Sequence, residues 1–309
     1  MKKKIILKVL ENNIFNKRLD LFLSNILSKY SRSFFKKLIL SGKVLVNCII
    51  TKIPKRRVCL GDEIIILINE KSIDSFSNIV LDIVYEDKYL LILNKPAGLV
   101  VHPGFGNTHG TLLNALLFRD SIFHNIPRAG ILHRLDKNTT GLMIVAKNLL
   151  SYNRLVYLLK NRQIIREYEA VVLGNFLSGG TINFPIMRHF KKRVCMMTHL
   201  SGKPSITHYR IIKRFKYYTH LKIRLETGRT HQIRVHMLHI KHPIIGDRIY
   251  QMRNLIPKGI DLKQFKSVYN FPRQALHAIR IKFFHPINYT LIDCNISLPS
   301  DILNLINIC

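Results

Sequence analysis

One carboxylate, Asp136, sits among Arg128, His133, Arg134 and Lys137 in a polar stretch that runs straight into the apolar segment Leu142–Ala146. Nearby cations favour the ionised form of a carboxylate. An ionised Asp at neutral pH can act as a nucleophile or base. The same grouping also suits a structural ion pair on a loop, and on local physics alone that is the commoner outcome. Two further side chains are candidates on their own segments. Tyr168 opens the strand-like run Tyr168–Leu173, where packing is the usual fate of a lone tyrosine. Arg234 falls in Gln232–His236, which also reads as a strand. His231, His236, His239 and His242 form a run that could suggest zinc. On a strand, however, His231 and His236 point to opposite faces, and no Cys or carboxylate adjoins the run, so no metal is expected. No Gly-x-Gly-x-x-Gly and no Walker-type loop occurs, so no cofactor is expected either.

The elements that must hold these residues divide in two. Before about Leu67, Leu19, Phe22, Leu23, Ile26 and Leu27 fall on one face of a helix. A second helix is predicted over Ser31–Ser41, with Ser31 as N-cap, Gly42 as its stop, and Phe34, Phe35, Leu38 and Ile39 on its buried side. Val44–Asn47 and Val58–Leu67 read as strands. Arg32, Lys36, Lys37, Lys43, Lys52, Lys55, Arg56 and Arg57 make the unit basic; for any single one, a solvated face is the default. Polar residues from Asn69 to Asn78 read as a linker. From Leu81 onward short β-rich runs follow one another: Leu90–Leu93, Leu142–Ala146, Tyr168–Leu173, His208–Ile212, Leu221–Leu225, Gln232–His236, Leu276–Phe284 and Leu291–Ile296. Helices are predicted only at Thr111–Phe118 and Ser151–Lys160. So few helices cannot cover both faces of a doubly wound parallel sheet, so a largely antiparallel α+β fold is expected. The clusters Arg188–Arg193 and Arg210–Lys216, with Phe190 and Phe215 among them, suit either an RNA groove or a solvated hairpin.

The chain has 309 residues, is 47% hydrophobic and carries a net charge of +31. Length and composition fit two folded domains. The positive excess calls for an anionic partner, either nucleic acid or an anionic membrane surface. Heavy use of Lys, Ile and Asn also fits an AT-rich genome, so the charge is supporting evidence only. No apolar run is long enough to span a bilayer. The opening Met1-Lys2-Lys3-Lys4-Ile5-Ile6-Leu7 looks like a secretion signal, but Lys8 and Glu11 interrupt it, and a cytoplasmic protein is expected. Five cysteines without metal-type spacing fit a reducing compartment.

The segment Arg18-Leu19-Asp20 to Ser31-Arg32-Ser33, with Gly42–Asn47 and Gly61-Asp62, resembles the S4 RNA-binding domain. The later motifs resemble the RluA-type pseudouridine synthases: Asn94-Lys95-Pro96-Ala97-Gly98, the central His133-Arg134-Leu135-Asp136, Arg166-Glu167-Tyr168-Glu169-Ala170, Gly228-Arg229-Thr230-His231-Gln232-Ile233-Arg234-Val235-His236, His242-Pro243-Ile244-Ile245-Gly246-Asp247 and Leu276-His277-Ala278, in that order. The resemblance covers nearly the whole chain. It implies an S4-like α/β domain over 1–68, a linker over 69–79 and a mixed-sheet catalytic domain over 80–309. It implies isomerisation of uridine to pseudouridine, with Asp136 as the catalytic carboxylate, Arg234 as its ion-pair partner and Tyr168 against the base. Arg134 would fill the space left by a flipped uridine, while His133 would serve as a structural hydrogen-bond partner. Arg32, Lys36, Lys37, Lys43, Arg56 and Arg57 would grip phosphates. The details point to 23S ribosomal RNA, or a large-subunit precursor, as partner, in the hairpin loop facing the decoding region. The enzyme would be a monomer.

Two other readings fit the same residues. A non-catalytic RNA-binding assembly factor would need no convergence of Asp136, Tyr168 and Arg234. A nucleoside glycosidase would want two facing acids, where the motifs offer one acid with an arginine. A sibling synthase with other 23S or tRNA targets is the alternative within the family. Phe105 and His109 depart from the family pattern, and the sequence stops at Cys309 without the acidic C-terminal extension of similar members.

Overall fold

Alternating apolar residues in the first part of the chain build one face of a small sheet. In this computed structural model, which describes residues 2–10, 17–27, 32–69, 79–104, 107, 109–251 and 262–309, the strands β1 (Lys2–Lys8), β2 (Val44–Val46), β3 (Ile49–Ile50) and β4 (Glu63–Asn69) pair in the order β1-β4-β2-β3. Val44, Val46, Ile64 and Ile66 point to one side and are buried against Leu19, Phe22 and Leu23 of α1 (Leu19–Ile26) and Phe35, Leu38 and Ile39 of α2 (Arg32–Leu40). Gly42, with φ +70°, follows α2 as expected; the predicted cap Ser31 lies outside the described residues, as do 70–78 of the linker and Phe105.

One strand of this unit was not foreseen, and one predicted strand needs correction. Residues 2–8, which resemble the start of a secretion signal, form a strand paired along its whole length with β4, Lys2 opposite Asn69 and Lys8 opposite Glu63. Val58 is buried but not in a strand. The Asp62 carboxylate accepts from the Cys59 N–H at 2.8 Å and from Asn47 Nδ2 at 2.8 Å, closing a turn that delays β4 until Glu63.

The second part is built on a sheet of nine strands among the described residues, in the order β5-β6-β7-β14-β8-β13-β12-β9, with β15 on β14. The strands are β5 (Asp82–Glu86), β6 (Leu90–Lys95), β7 (Thr140–Ala146), β8 (Ile165–Leu173), β9 (Gly180–Asn183), β12 (Ile206–Arg214), β13 (Tyr218–Leu225), β14 (Leu276–Phe284) and β15 (Leu291–Asn295). A separate hairpin joins β10 (Ile186–Arg188) to β11 (Met196–Thr198). The large sheet is antiparallel apart from the short β7–β14 pairing, where His277 lies opposite Thr140 and Ala278 opposite Gly141. Gly141 has φ +114°, and a Cβ there would sit 2.3 Å from the Ala278 carbonyl oxygen, so only glycine lets the two strands meet. β7 is buried at every position, which explains its unbroken apolar run.

Helices α3 (Leu112–Arg119) and α4 (Leu149–Lys160) fall where predicted, each started by a side-chain cap, Thr111 with Asn114 in the first case and Asn148 in the second. The chain adds α5 (Gln232–His239), α6 (Leu262–Tyr269) and α7 (Ser300–Ile308). The α5 assignment overturns the predicted strand Gln232–His236. Ile233, Val235 and Met237 alternate with polar residues and imitate a strand. The segment is instead a helix buried on nearly all sides, from Gln232 to Met237, so no apolar stripe marks it. Among the described residues no helix is long and apolar enough to cross a membrane.

Candidate active site

The Asp136 loop is held from three directions. Its own turn closes with the Thr139 N–H donating to the Asp136 carbonyl at 3.1 Å. The fully buried Lys95 ammonium, at the end of β6, donates to the carbonyls of Pro96 at 2.7 Å, Leu99 at 3.0 Å and Lys137 at 3.0 Å. Arg273 Nη1 donates to the Asn138 carbonyl at 3.2 Å, and Gln274 Nε2 to Thr139 Oγ1 at 3.0 Å. Burial pushes the Lys95 amine down to about 7, Asp136 pulls it upward and Arg273 pushes it down again. His133, three residues before Asp136, accepts the Ile144 N–H at 3.0 Å through Nε2 and so tethers the loop to β7. Burial, then the charge of Arg166, lowers His133 to about 3, which keeps it a neutral acceptor.

Helix α5 brings Arg234 to this loop. Its Nη1 donates to Asp136 Oδ2 at 2.9 Å, while Nε and Nη2 donate to Asp247 Oδ2 and Oδ1 at 2.6 and 2.8 Å. Burial would weaken the guanidinium's hold on its proton, but the hydrogen bonds and charge of Asp247, then the charge of Asp136, raise it instead. Burial would likewise raise Asp247, and the Arg234 hydrogen bonds and charge bring it below the usual carboxylate range. Asp247 Oδ1 also accepts the N–H groups of Ile249 and Tyr250, both at 3.0 Å. The Tyr250 ring lies 4.8 Å from the Arg234 guanidinium carbon.

His231 caps α5 in a left-handed conformation, φ 56°. The Met196 N–H donates to Tyr250 Oη at 2.7 Å, leaving the hydroxyl proton for His231 Nδ1, also at 2.7 Å. That chain assigns the ring proton to Nε2, which lies 3.7 Å from Asp136 Oδ1. Burial, the largest influence, lowers His231 below the ordinary histidine value, so the ring is neutral.

Asp136, Tyr168, Arg234, His231 and the exposed Arg134 line one cleft of about 890 Å³, with Arg128, Lys160, Arg162, Arg166 and Arg229 also on its walls. Tyr168 is buried on β8, and burial raises its phenol above the ordinary value, Arg166 opposing and Asp136 adding. The cleft is therefore a basic, partly apolar recess in which Asp136 is clamped by Arg234, while the second carboxylate on its wall, Glu226, pairs with Arg162 and His208. That arrangement suits an anionic substrate whose reacting carbon must meet an oriented carboxylate.

The expected phosphate-gripping residues of the first unit lie elsewhere. Lys36, Lys37 and Arg57 are exposed, and Lys43 and Arg56 half-buried. Arg32 is engaged within its unit: its Nε donates to the buried Asp20 at 2.9 Å, beside Arg18 at 3.0 Å. In the basic hairpin between β10 and β11, Phe190 is exposed, and at the end of β12 Lys213 sits 4.9 Å from the Phe215 ring centre. The four histidines do not converge. His236 meets Thr207 and the Phe184 carbonyl, His239 meets Thr198, and His242 meets the Leu173 carbonyl. Among the described residues no group of three or more His, Cys, Asp or Glu is arranged to hold a metal. Sequence reasoning gave no role to Asp247 or Tyr250. Gly246-Asp247 after the His-Pro pair was a visible signal, but its partner lies 13 residues away.

Comparison with known proteins agrees with this geometry. The family described as RNA pseudouridylate synthase matches residues 89–239, and the S4 domain matches residues 17–64. The chain is 53% identical over 291 residues to ribosomal large subunit pseudouridine synthase D of Buchnera aphidicola subsp. Acyrthosiphon pisum, covering 94% of this chain and 93% of that one. It is 48% identical over 302 residues to the protein of the same name from Escherichia coli K12, covering 97% and 92%. In fold it is similar to human RNA pseudouridylate synthase domain containing 4, with a TM-score of 0.58 and 23% identity over 74% of this chain and 92% of that one. With an S4 domain ahead of a cleft-bearing mixed sheet, the chain belongs to the RNA pseudouridylate synthase family, isomerases that convert uridine in RNA to pseudouridine.

Proposed function

We propose that this enzyme isomerises uridines of 23S ribosomal RNA, in the hairpin loop facing the decoding region, with Asp136 as its catalytic carboxylate. The observation that carries the reading is the contact of Asp136 Oδ2 with Arg234 Nη1 at 2.9 Å, in a cleft that Tyr168 also lines. The names of the relatives, large-subunit synthases, support the substrate. The protein acts in the cytoplasm as a monomer, with residues 1–68 as an RNA-gripping domain, 69–79 as linker and 80–309 as catalytic domain.

The reaction breaks the bond from uracil N1 to ribose C1′, turns the base and joins C5 to C1′, with loss of the C5 proton and gain of one at N1. Atoms and electrons balance within the nucleotide. Asp136 acts at the ribose, by attack at C1′ or removal of a ribose proton, and Arg234 holds the carboxylate in the position either step needs. A phenol raised by burial stays neutral, so Tyr168 stacks on uracil and relays the C5 proton rather than standing as a base. The uridine reaches Asp136 by leaving its stack, at a cost of a few kcal/mol that is least in a loop. Arg134, exposed at the cleft, fills the vacated space.

Carbodiimide–primer-extension mapping of 23S RNA incubated with the protein tests the target. New stops confined to that hairpin loop are expected; stops at other uridines alone would assign a sibling specificity.

A further inference from the structure

Arg166 lies two residues before Tyr168 on β8, so both side chains leave the same face of the strand and line the same cleft. Arg166 is only 8% exposed. Among the described residues its Nε has no hydrogen-bond acceptor, and no carboxylate pairs with its guanidinium. Arg162, Arg234 and Arg273 have carboxylate partners, Glu226, Asp136 with Asp247, and Asp301, and the cleft arginines that lack one among the described residues, Arg128, Arg134 and Arg229, are more open to solvent than Arg166. Its charge is felt nearby, adding to burial in lowering His133 and opposing burial at Tyr168. The loop opposite makes room for it, because a Cβ at Gly228 would stand 2.8 Å from Arg166 Nη1.

A buried cation without a partner is costly unless something completes it on binding. A uracil carbonyl would satisfy a donor and leave the charge unmatched. A phosphodiester supplies two acceptors and a negative charge to the planar fork. Two residues of strand separate Arg166 from Tyr168 by about 6.6 Å, which is comparable to the reach from a base to the backbone of its own nucleotide. We propose that Arg166 is an anion-binding residue of the cleft and takes a phosphate oxygen adjoining the uridine on which Asp136 acts. The proposal rests on the RNA reaction put forward above.

A synthetic hairpin with the sequence of the 23S loop, carrying a neutral methylphosphonate at one phosphate at a time, tests it against full-length wild type and Arg166→Gln. One neutralised phosphate beside the target uridine should weaken wild-type binding about tenfold or more. Arg166→Gln should lose a similar factor on unmodified RNA, and the two changes together should cost no more than either alone. Arg166→Lys, which keeps the charge without the fork, should recover part of the loss. Thermal melting should place Arg166→Gln no lower than wild type, because an uncompensated charge has been removed. Additive losses at every phosphate, or wild-type binding by Arg166→Gln, would overturn the assignment. Pseudouridine formed by wild type on the unmodified hairpin is read in the same samples. With it present, those outcomes reject Arg166 alone; without it, the target RNA and this assignment fall together.

Discussion

Arg234 divides its guanidinium between two acids, giving Nη1 to Asp136 at 2.9 Å and both Nε and Nη2 to Asp247 at 2.6 and 2.8 Å. The bidentate pair with Asp247 fixes the arginine plane, so the direction in which Nη1 meets Asp136 is set from behind. Asp247→Asn should therefore act twice. Breaking one side of a buried pair should lower stability by about 3–5 kcal/mol in denaturant unfolding. Where the variant is folded, turnover should fall on the order of 10²-fold through misplacement of Asp136, with RNA affinity nearly unchanged. The acid limb follows from the lowered Asp247 value. The stabilisation is present above the unfolded carboxylate value near 3.9 and is lost as pH falls through the lower folded value. Asp247→Asn should flatten that part of the stability curve; an unchanged curve would detach Asp247 from the account.

Tyr168→Phe keeps the ring and removes the hydroxyl. If the phenol relays the C5 proton, release of tritium from RNA labelled at uridine C5 should slow by roughly 10²–10⁴-fold, while binding of the same RNA holds. Equal release rates would reduce Tyr168 to packing.

Lys95 should give the protein a distinctive alkaline behaviour. Its amine is near 7 when folded, against about 10.4 when unfolded. Between those values the unfolded chain holds a proton that the folded chain has shed, so stability rises with pH across the window. From pH 7 to pH 9 the gain attributable to this group is up to about 3 kcal/mol. Melting of wild type and Lys95→Met across pH 6–9 should show wild type gaining relative to the variant; parallel curves would contradict the shifted amine.

The cations of the first unit should separate into two kinds. Lys36 and Lys37 are exposed; reversing both to Glu should weaken binding to 23S RNA and make the slope of log affinity against log salt shallower by roughly 1.4–1.8. Arg32 is tied to buried Asp20 at 2.9 Å. Burial would raise Asp20, but the Arg32 and Arg18 hydrogen bonds and charges lower it, so Arg32→Ala should show first as earlier melting. Intact melting with the same loss of affinity would instead make Arg32 a phosphate contact.

What could be seen in the chain beforehand depended on how local the determining interactions are. The capped helix starting at Thr111 and the buried strand β7 announce themselves through neighbours a few residues away. The Asp136 loop is visible because its reactive types crowd into one stretch. β1 was missed because its partner β4 is some 60 residues distant, Ile5 opposite Ile66. α5 was misread because burial on all sides erases the helical stripe and leaves a chance alternation. Asp247 could not be tied to Arg234, nor Arg166 recognised as unpaired, since a partner's identity, or its absence, exists only in the folded arrangement.

The central claim is that Asp136 does the chemistry rather than merely closing an ion pair. Tritium release from C5-labelled 23S RNA, with wild type and Asp136→Asn at matched RNA occupancy, measures it directly. The account predicts release with wild type and none above background with Asp136→Asn, although both bind the RNA alike. Release by Asp136→Asn at a rate near that of wild type would contradict it.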